Sequence, residues 1–365
     1  MSPDLEMKLE NLHDVKYIYL CLQDGIGTQL AFLHDLLLVA SLNDWKILFD
    51  LRRRFHGPED RETSVKQLFE HIHVQNDSVV TSSSEIDAIL QHESEATLAI
   101  TQILNRSNSY LEPYSFHSIV RATDLNETFR EPLAKKHPRT NLDIFDILLF
   151  KDELEEKFQQ LKPLVADKIG VHARFGNGET LLHAIDTHPT NLQRMLIPPT
   201  AFFTAMDQRE EGFFICSDTE TFVTACKRRY PDKSLSLDRS FPGPGQGAGH
   251  LRRLLSKTRE DLGDFSPLQH TLDALLEIRL LGECTHIISN NSMFTWYARV
   301  YRHIPSTSLS FADTQLSISD LLSNNKEVAL PGKMDISLIG NLIQSDTPVI
   351  FDIGCNEGSS ARTFT

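Results

Sequence analysis

The sequence predicts an α/β protein built from two parallel-sheet domains that face each other across a cleft. Three observations predict it. Short apolar, β-rich runs alternate with stretches of helical spacing along most of the chain. Glycine-containing turns follow directly on two of those runs, at 25–27 and 176–178. The length of 365 residues suits two such domains better than one. The expected division is an N-terminal domain over 1–162, a second domain over 163–328, and a linker with a truncated α/β start over 329–365.

In chain order, residues 15–22 read as the first strand, and 28–42 as the helix that follows the turn containing Gly25 and Gly27. Residues 46–51 are a second strand, which completes a βαβ unit. Its glycine turn lies at the carboxyl end of the first strand, where α/β folds bind ligands. The glycines therefore shape the turn and the helix start, and face a shared cleft. Arg52, Arg53 and Arg54 come next, either as a solvated rim or as contacts to an anionic substrate. The following segment is less legible: a helix over 64–71, a short strand over 78–81, a helix over 86–90, and a polar, aromatic loop over 105–121. A charged helix over 150–161 ends near Pro163, which marks the expected boundary.

From Ile169 the alternation is clear. A strand at 169–171 is followed by a helix from near Pro199, a strand over 212–217, a helix over 219–230 and a strand over 235–237. A glycine-proline loop over 241–250 leads to helices at 251–262 and 267–281, a strand over 285–289, and a helix over 291–301. That order predicts a parallel sheet with helices on both faces.

Composition narrows the function classes. With 40% hydrophobic and 24% charged residues the chain can build a sizeable core. A net charge of −14 argues against a nucleic-acid surface, which needs a basic stripe, but not against a pocket for a small anion. Cys21, Cys216, Cys226, Cys284 and Cys355 show no metal-type spacing and read as buried thiols in a reducing compartment. The fifteen histidines form no HExxH pair, so no metal site is expected. No apolar stretch is long enough to span a bilayer, and residues 1–14 do not read as a signal peptide. A cytoplasmic protein is the expectation.

Four places along the second half carry chemistry. In 169–179 (IGVHARFGNGE) a strand ends in a cationic bend. His172 and Arg174 alternate and so leave the same face, and Gly176, Asn177 and Gly178 allow backbone to approach a ligand closely. A guanidinium fixed there is either a surface ion pair or a diphosphate clamp, since its planar fork of donors stays ionised. Asp218, just after the strand FFICS, is a helix cap or a ligand contact. At Asn291 and Ser292 a strand gives way to a predicted helix, whose first amides either are capped by those side chains or bind phosphate oxygens. Asp273 and Glu277 lie one helical turn apart, as a solvated face or as acceptors for the edge of a base.

Taken together and in order, these segments resemble the GT-B α1,6-fucosyltransferases, especially the bacterial nodulation-type chitooligosaccharide enzymes. The resemblance lies in 170–179 (GVHARFGNGE), 213–218 (FFICSD), 275–281 (LLEIRLL) and 287–294 (IISNNSMF), and covers about residues 165–302. It implies two Rossmann-like domains, the N-terminal one on the acceptor side, and a GDP-fucose donor with inversion at the anomeric carbon. It also implies no metal and no other cofactor. An oligosaccharide acceptor, chitooligosaccharide-like or from a cell surface, is the implied partner. Carried over by motif, His172 and Glu277 contact guanine, Arg174 and Ser292 hold the β-phosphate, and Asn177, Asp218 and Asn291 support the donor pocket. Inversion requires a base for the acceptor hydroxyl. Glu179 is the carboxylate nearest the clamp in sequence, with Asp186 and His183 as rivals. Another GDP-hexose as donor, or a glycan-binding protein of the same fold that has lost catalysis, are the alternatives.

Residues 349–358 (VIFDIGCNEG) resemble the first motif of S-adenosylmethionine-dependent methyltransferases of the FkbM-like group. A methyltransferase needs a further sheet and an acidic residue about 20 positions on. The chain ends at Thr365, so this stub is expected not to methylate by itself.

Overall fold

A computed structural model of the chain describes residues 16–20, 25–52, 61–94, 119–121, 143–175, 197–241, 266–290 and 292–310. Tyr17–Leu20 (β1) leads into the helix Ile26–Asn43 (α1), and Lys46–Phe49 (β2) returns parallel to β1. The helix buries Ile26, Leu30, Leu33, Leu36, Leu37 and Ala40. That spacing puts one apolar stripe against the sheet. There follow Arg61–His71 (α2), Ile72–Val74 (β3), Val79–Val80 (β4), Ser83–Ser94 (α3), Ile119–Arg121 (β5), Ile144–Ile147 (α4), Leu148–Phe150 (β6) and Asp152–Val165 (α5). The first sheet has the order β4-β2-β1-β5 and is parallel throughout. Its order therefore reverses beside β1.

The second half contains Ile169–Ala173 (β7), Pro199–Asp207 (α6), Phe213–Ser217 (β8), Glu220–Arg229 (α7), Ser234–Leu235 (β9), Pro267–Leu281 (α8), His286–Ser289 (β10) and Ser306–Ser308 (β11). Its sheet runs β11-β10-β7-β8-β9, again parallel at every pairing. β7 and β8 are buried along their whole length, as strands covered on both faces must be. Alternate residues go to opposite sides. Ile169, Val171, Ala173, Phe213, Ile215 and Ile288 join Phe202 and Phe222 of α6 and α7 in one cluster. Phe214, Cys216 and Ile287 join Leu275 and Leu281 of α8 in another.

That second cluster also contains Leu30 and Leu33 of α1, so a single hydrophobic core joins the two sheets. Helix α8 lies inside it, capped by Ser266, whose hydroxyl accepts the Gln269 N–H at 3.2 Å. Helix α5 runs to Val165 with Pro163 in its last turn, and is tied to α8 by Arg279 to Glu155 at 2.5 Å. Its Lys162 also reaches Glu283 at 3.4 Å. Among the described residues no helix is long and apolar enough to cross a membrane.

Apart from β5 and β11, the sequence-based assignments are matched for the described elements that carry the parallel sheets, with ends shifted by at most four residues. Four strands go beyond that reading. β5 pairs with β1 from within a segment read as a loop, β3 and β6 form a separate antiparallel pair, and β11 is the polar run Ser306–Ser308. The helix expected over 291–301 is instead a 3₁₀ turn, Met293–Thr295, followed by a π-helical turn, Tyr297–Tyr301. In that second turn the Arg302 N–H reaches back five residues to the Tyr297 carbonyl at 2.9 Å.

Of the three arginines after β2, Arg52 is structural; Arg53 and Arg54 lie outside the described residues. Arg52 holds Asp50 at 2.8 Å and Asp87 at 2.7 Å, while the Tyr19 hydroxyl donates to Asp50 at 2.9 Å. Burial alone would raise the Asp50 carboxyl, but the Arg52 contacts and the Tyr19 hydroxyl outweigh it and hold it below its usual value. Stability from a carboxylate depressed in this way is present above its unfolded value near 3.8 and is lost as pH falls through the folded one. Asp50→Asn is therefore expected to cost about 2 kcal/mol at pH 7 and to flatten the acid limb of the stability profile. Urea unfolding between pH 3 and 7 checks both.

Candidate functional site

Parallel sheets bind ligands outside the carboxyl ends of their strands, at the point where strand order reverses. In the second sheet that point lies between β7 and β10. Arg174 is the first residue beyond β7. Its N–H donates to Asn290 Oδ1 at 3.2 Å, and its carbonyl accepts from Asn290 Nδ2 at 2.8 Å. The Asn290 amide thus continues the β7–β10 ladder by one step with a side chain. On the other flank Asp218, just past β8, accepts the Phe175 N–H at 2.9 Å and lies 3.3 Å from Arg174 Nη1. The Ser217 hydroxyl donates to the Ala173 carbonyl at 2.8 Å. The tips of β7, β8 and β10 are locked together around Arg174, whose side chain remains 27% exposed.

His172 is one step back inside β7, next to Ser289 of β10 and Cys216 of β8 in register. It is buried, and its ring stacks on Phe294 with centroids 4.5 Å apart and planes 12° from parallel. Phe294 belongs to the 3₁₀ turn that follows β10. The Ser292 hydroxyl accepts the Phe294 N–H at 3.2 Å, so its capping role is the one the structure shows. The α-helix start expected there is a 3₁₀ turn. A single 3₁₀ turn aligns fewer peptide dipoles than a long helix start.

The long helix start at this place belongs to α1. Gly25 precedes it, exposed, and a Cβ there would meet nothing within 4 Å. Gly27 is the opposite case. A Cβ there would lie 2.9 Å from both the Met293 carbonyl oxygen and the Phe294 Cα. Two backbones cross at Gly27, one from each half of the chain, so only hydrogen fits. The contact joins the helix start that follows β1 to the turn that follows β10. Gly27→Ala must push these backbones apart and is expected to destabilise the fold by about 2 kcal/mol. Chemical denaturation measures it, and an unchanged midpoint would refute the close crossing.

Glu277 and Asp273 project from α8 into the core, each only 2–3% exposed. Buried carboxylates need partners. Asp273 accepts from Gln269 at 3.0 Å and lies 3.5 Å from Lys157 of α5. Glu277 lies 3.2 Å from Arg239 Nη1. Burial pushes the Glu277 carboxyl up to about 7, against the opposing pull of Arg239. Any ligand group reaching Glu277 must part the covering side chains.

Asn290 and Arg239 are the site residues that sequence reasoning missed. Asn290 stands in a run of small polar residues that gives none of them distinction, and Arg239 follows a short strand where a cation reads as solvated. Asn177, Glu179, Asn291, His183 and Asp186 lie outside the described residues, as does the 349–358 motif. Cys216, Cys226 and Cys284 are buried free thiols, and burial raises all three, Cys226 and Cys284 to about 12. Among the described residues no group of three or more His, Cys, Asp or Glu is arranged to hold a metal ion.

The assembly can bind an anion at an ionised fork of donors on a strand tip, beside a helix start. No family model and no curated protein matches the chain. Among solved structures, the chain is similar to the NodZ alpha-1,6-fucosyltransferase soaked with GDP-fucose, at 14% identity over 84% of this chain and 96% of that one, with a TM-score of 0.46. Fucosyltransferase NodZ from Bradyrhizobium is similar at 14% identity over 82% and 96%, with a TM-score of 0.47. POFUT1 in complex with GDP-fucose is similar at 11% identity over 82% and 98%, with a TM-score of 0.40.

Proposed function

We propose that the chain is an inverting GT-B glycosyltransferase that moves fucose from GDP-fucose to a hydroxyl of a glycan acceptor. The observation that carries the reading is the meeting of two switch points. Arg174 stands at one, locked between Asp218 and Asn290, and the α1 start at Gly25 stands at the other, with Gly27 packed on Met293 and Phe294. Two parallel sheets whose carboxyl-end turns meet at this contact suit a substrate pair in which one member is a nucleotide sugar. The resemblance of 170–179, 213–218, 275–281 and 287–294 to α1,6-fucosyltransferases implies GDP-fucose as the donor.

In this mechanism Arg174 and Ser292 hold the β-phosphate while the glycosidic bond to it breaks. The guanidinium balances the charge that develops on the departing diphosphate, which is the work a metal does in other transferases. Asn290 and Asp218 fix Arg174 in place. His172, held flat by Phe294, and Glu277 take the guanine side, while Asn177 and Asn291 complete the donor pocket. Glu179 takes the acceptor proton, so that the hydroxyl attacks the face opposite the diphosphate. The acceptor is a chitooligosaccharide-like or cell-surface oligosaccharide.

Thermal shift with GDP, GDP-fucose, GDP-mannose and UDP-N-acetylglucosamine, followed by turnover on chitooligosaccharides without added metal, tests the reading. Stabilisation by GDP and GDP-fucose with transfer to the acceptor is expected. No response to GDP, or an equal response to the UDP-sugar, would overturn the donor. Preference for GDP-mannose would reassign the sugar, and binding without transfer to any glycan would point to an inactive relative.

A further inference from the structure

Arg239 lies in the segment after β9 and is almost fully buried, its side chain 4% exposed. Three contacts fix it. Its Nη1 is 3.2 Å from Glu277 Oε2, its Nη2 donates to the Ser217 carbonyl at the end of β8, and its guanidinium carbon lies 4.7 Å from the centre of the Phe241 ring. The side chain thus spans from a strand tip of the candidate site to the middle of α8. Phe241 offers the face of an aromatic ring, which favours a cation.

Among the described residues, the surroundings of Glu277 leave this one cation in direct contact. From its own helix Asp273 adds a like charge, and from α5 Lys157 is engaged with Asp273 at 3.5 Å. The neutral thiol of Cys216 comes from β8, with His172 beside it in the sheet. A carboxylate buried there without Arg239 would take up a proton, because an unpaired buried charge costs several kcal/mol. Arginine stays ionised at any working pH, so the pairing cannot be lost by deprotonation of the partner.

Protonation changes what Glu277 can recognise. An ionised carboxylate offers two acceptors, whereas the neutral acid offers one acceptor and one donor. Guanine presents two adjacent donors on its N1–H and exocyclic amine, and matches only the ionised form. We propose that Arg239 is a specificity-determining positioning residue that keeps Glu277 a two-acceptor group and so selects guanine. This rests on the reading of Glu277 as the base-side carboxylate of a GDP-sugar site.

The test is calorimetric binding of GDP-fucose to the full chain from pH 5.5 to 9. This donor is suited to it because both phosphates are esterified and do not titrate near neutrality. Wild type is expected to lose affinity as pH falls through a midpoint near neutrality, and Glu277→Gln is expected to bind more weakly with a flat profile. Arg239→Gln, which removes the charge but keeps a donor for the Ser217 carbonyl, is expected to move the midpoint up by about one unit or more. That is about a tenfold loss of affinity at any pH below both midpoints, with recovery in alkali. Arg239→Lys restores the midpoint toward wild type. An equal loss at every pH in Arg239→Gln would overturn the proposal, leaving Arg239 as a structural prop. A wild-type midpoint that survives in Glu277→Gln would also overturn it, and needs no Arg239 variant to fold. Failure of wild type to bind GDP-fucose at any pH would instead overturn the donor assignment, and this role with it.

Discussion

Replacing Arg174 with alanine is expected to abolish GDP-dependent stabilisation and to reduce sugar transfer by about a thousandfold. Two effects act in the same direction. The departing diphosphate loses its cationic fork, and Asp218 loses the guanidinium that lies 3.3 Å from it at the strand tip. The ligand would then meet a negative charge where it now meets a balanced pair. In wild type, ligand at a hundred times its dissociation constant stabilises the fold by about 2.7 kcal/mol, so the loss is readily seen as a missing thermal shift. Arg174→Lys keeps the charge without the planar fork and should fall in between. Asp218→Asn is a milder change. The amide oxygen can still accept the Phe175 N–H, so the bend survives while the guanidinium loses an anchor. A loss in Asp218→Asn as large as in Arg174→Ala would mean that Asp218 itself meets the ligand. Retained stabilisation by GDP in Arg174→Ala would remove the clamp from the mechanism.

Much of this arrangement was legible in the sequence because fully buried parallel strands carry long apolar runs. FFICS and GVHA announce β8 and β7, and the residues just beyond them fall at the ligand-binding ends by topology alone. His172 and Arg174 could be named for that reason. Asn290 could not. Its work is to imitate a strand, and a run of Ser and Asn gives no sign of which amide bridges to the neighbouring backbone. Arg239 and the burial of Glu277 are illegible for a different reason. The sequence leaves Asp273 and Glu277 of helix α8 either on a solvated face or as acceptors for the edge of a base, yet the helix is buried on nearly every side between the two sheets. Only tertiary structure shows that its charged face is turned inward and needs cations from α5 and from the segment after β9. The turn after β10 was misread because Ser292 looks the same before a 3₁₀ turn as before an α-helix. The crossing at Gly27 favours the short turn, since the Met293 and Phe294 backbone must lie close against α1.

Glu179→Gln is expected to abolish transfer while leaving GDP binding and its stabilisation intact. Inversion in a single displacement requires the acceptor hydroxyl to lose its proton as it attacks, and a positioned base contributes about 10²–10⁴-fold to such a step. Glutamine keeps the size and polarity of the side chain but cannot accept that proton. Position favours Glu179 among the carboxylates in reach. It follows Arg174 by five residues, and five residues span at most about 18 Å even when fully extended, so it cannot stray far from the clamp. Asp186 lies twelve positions beyond Arg174, and the chain between them constrains it much less. Single-turnover transfer measured against pH separates the candidates. Transfer in wild type should fall at low pH, as a carboxylate base becomes protonated, and Glu179→Gln should remove the step together with the activity. Binding that fails along with turnover would place Glu179 on the donor instead. Turnover retained in Glu179→Gln but lost in Asp186→Asn or His183→Gln would assign the base to that residue, and the low-pH fall would then follow its titration.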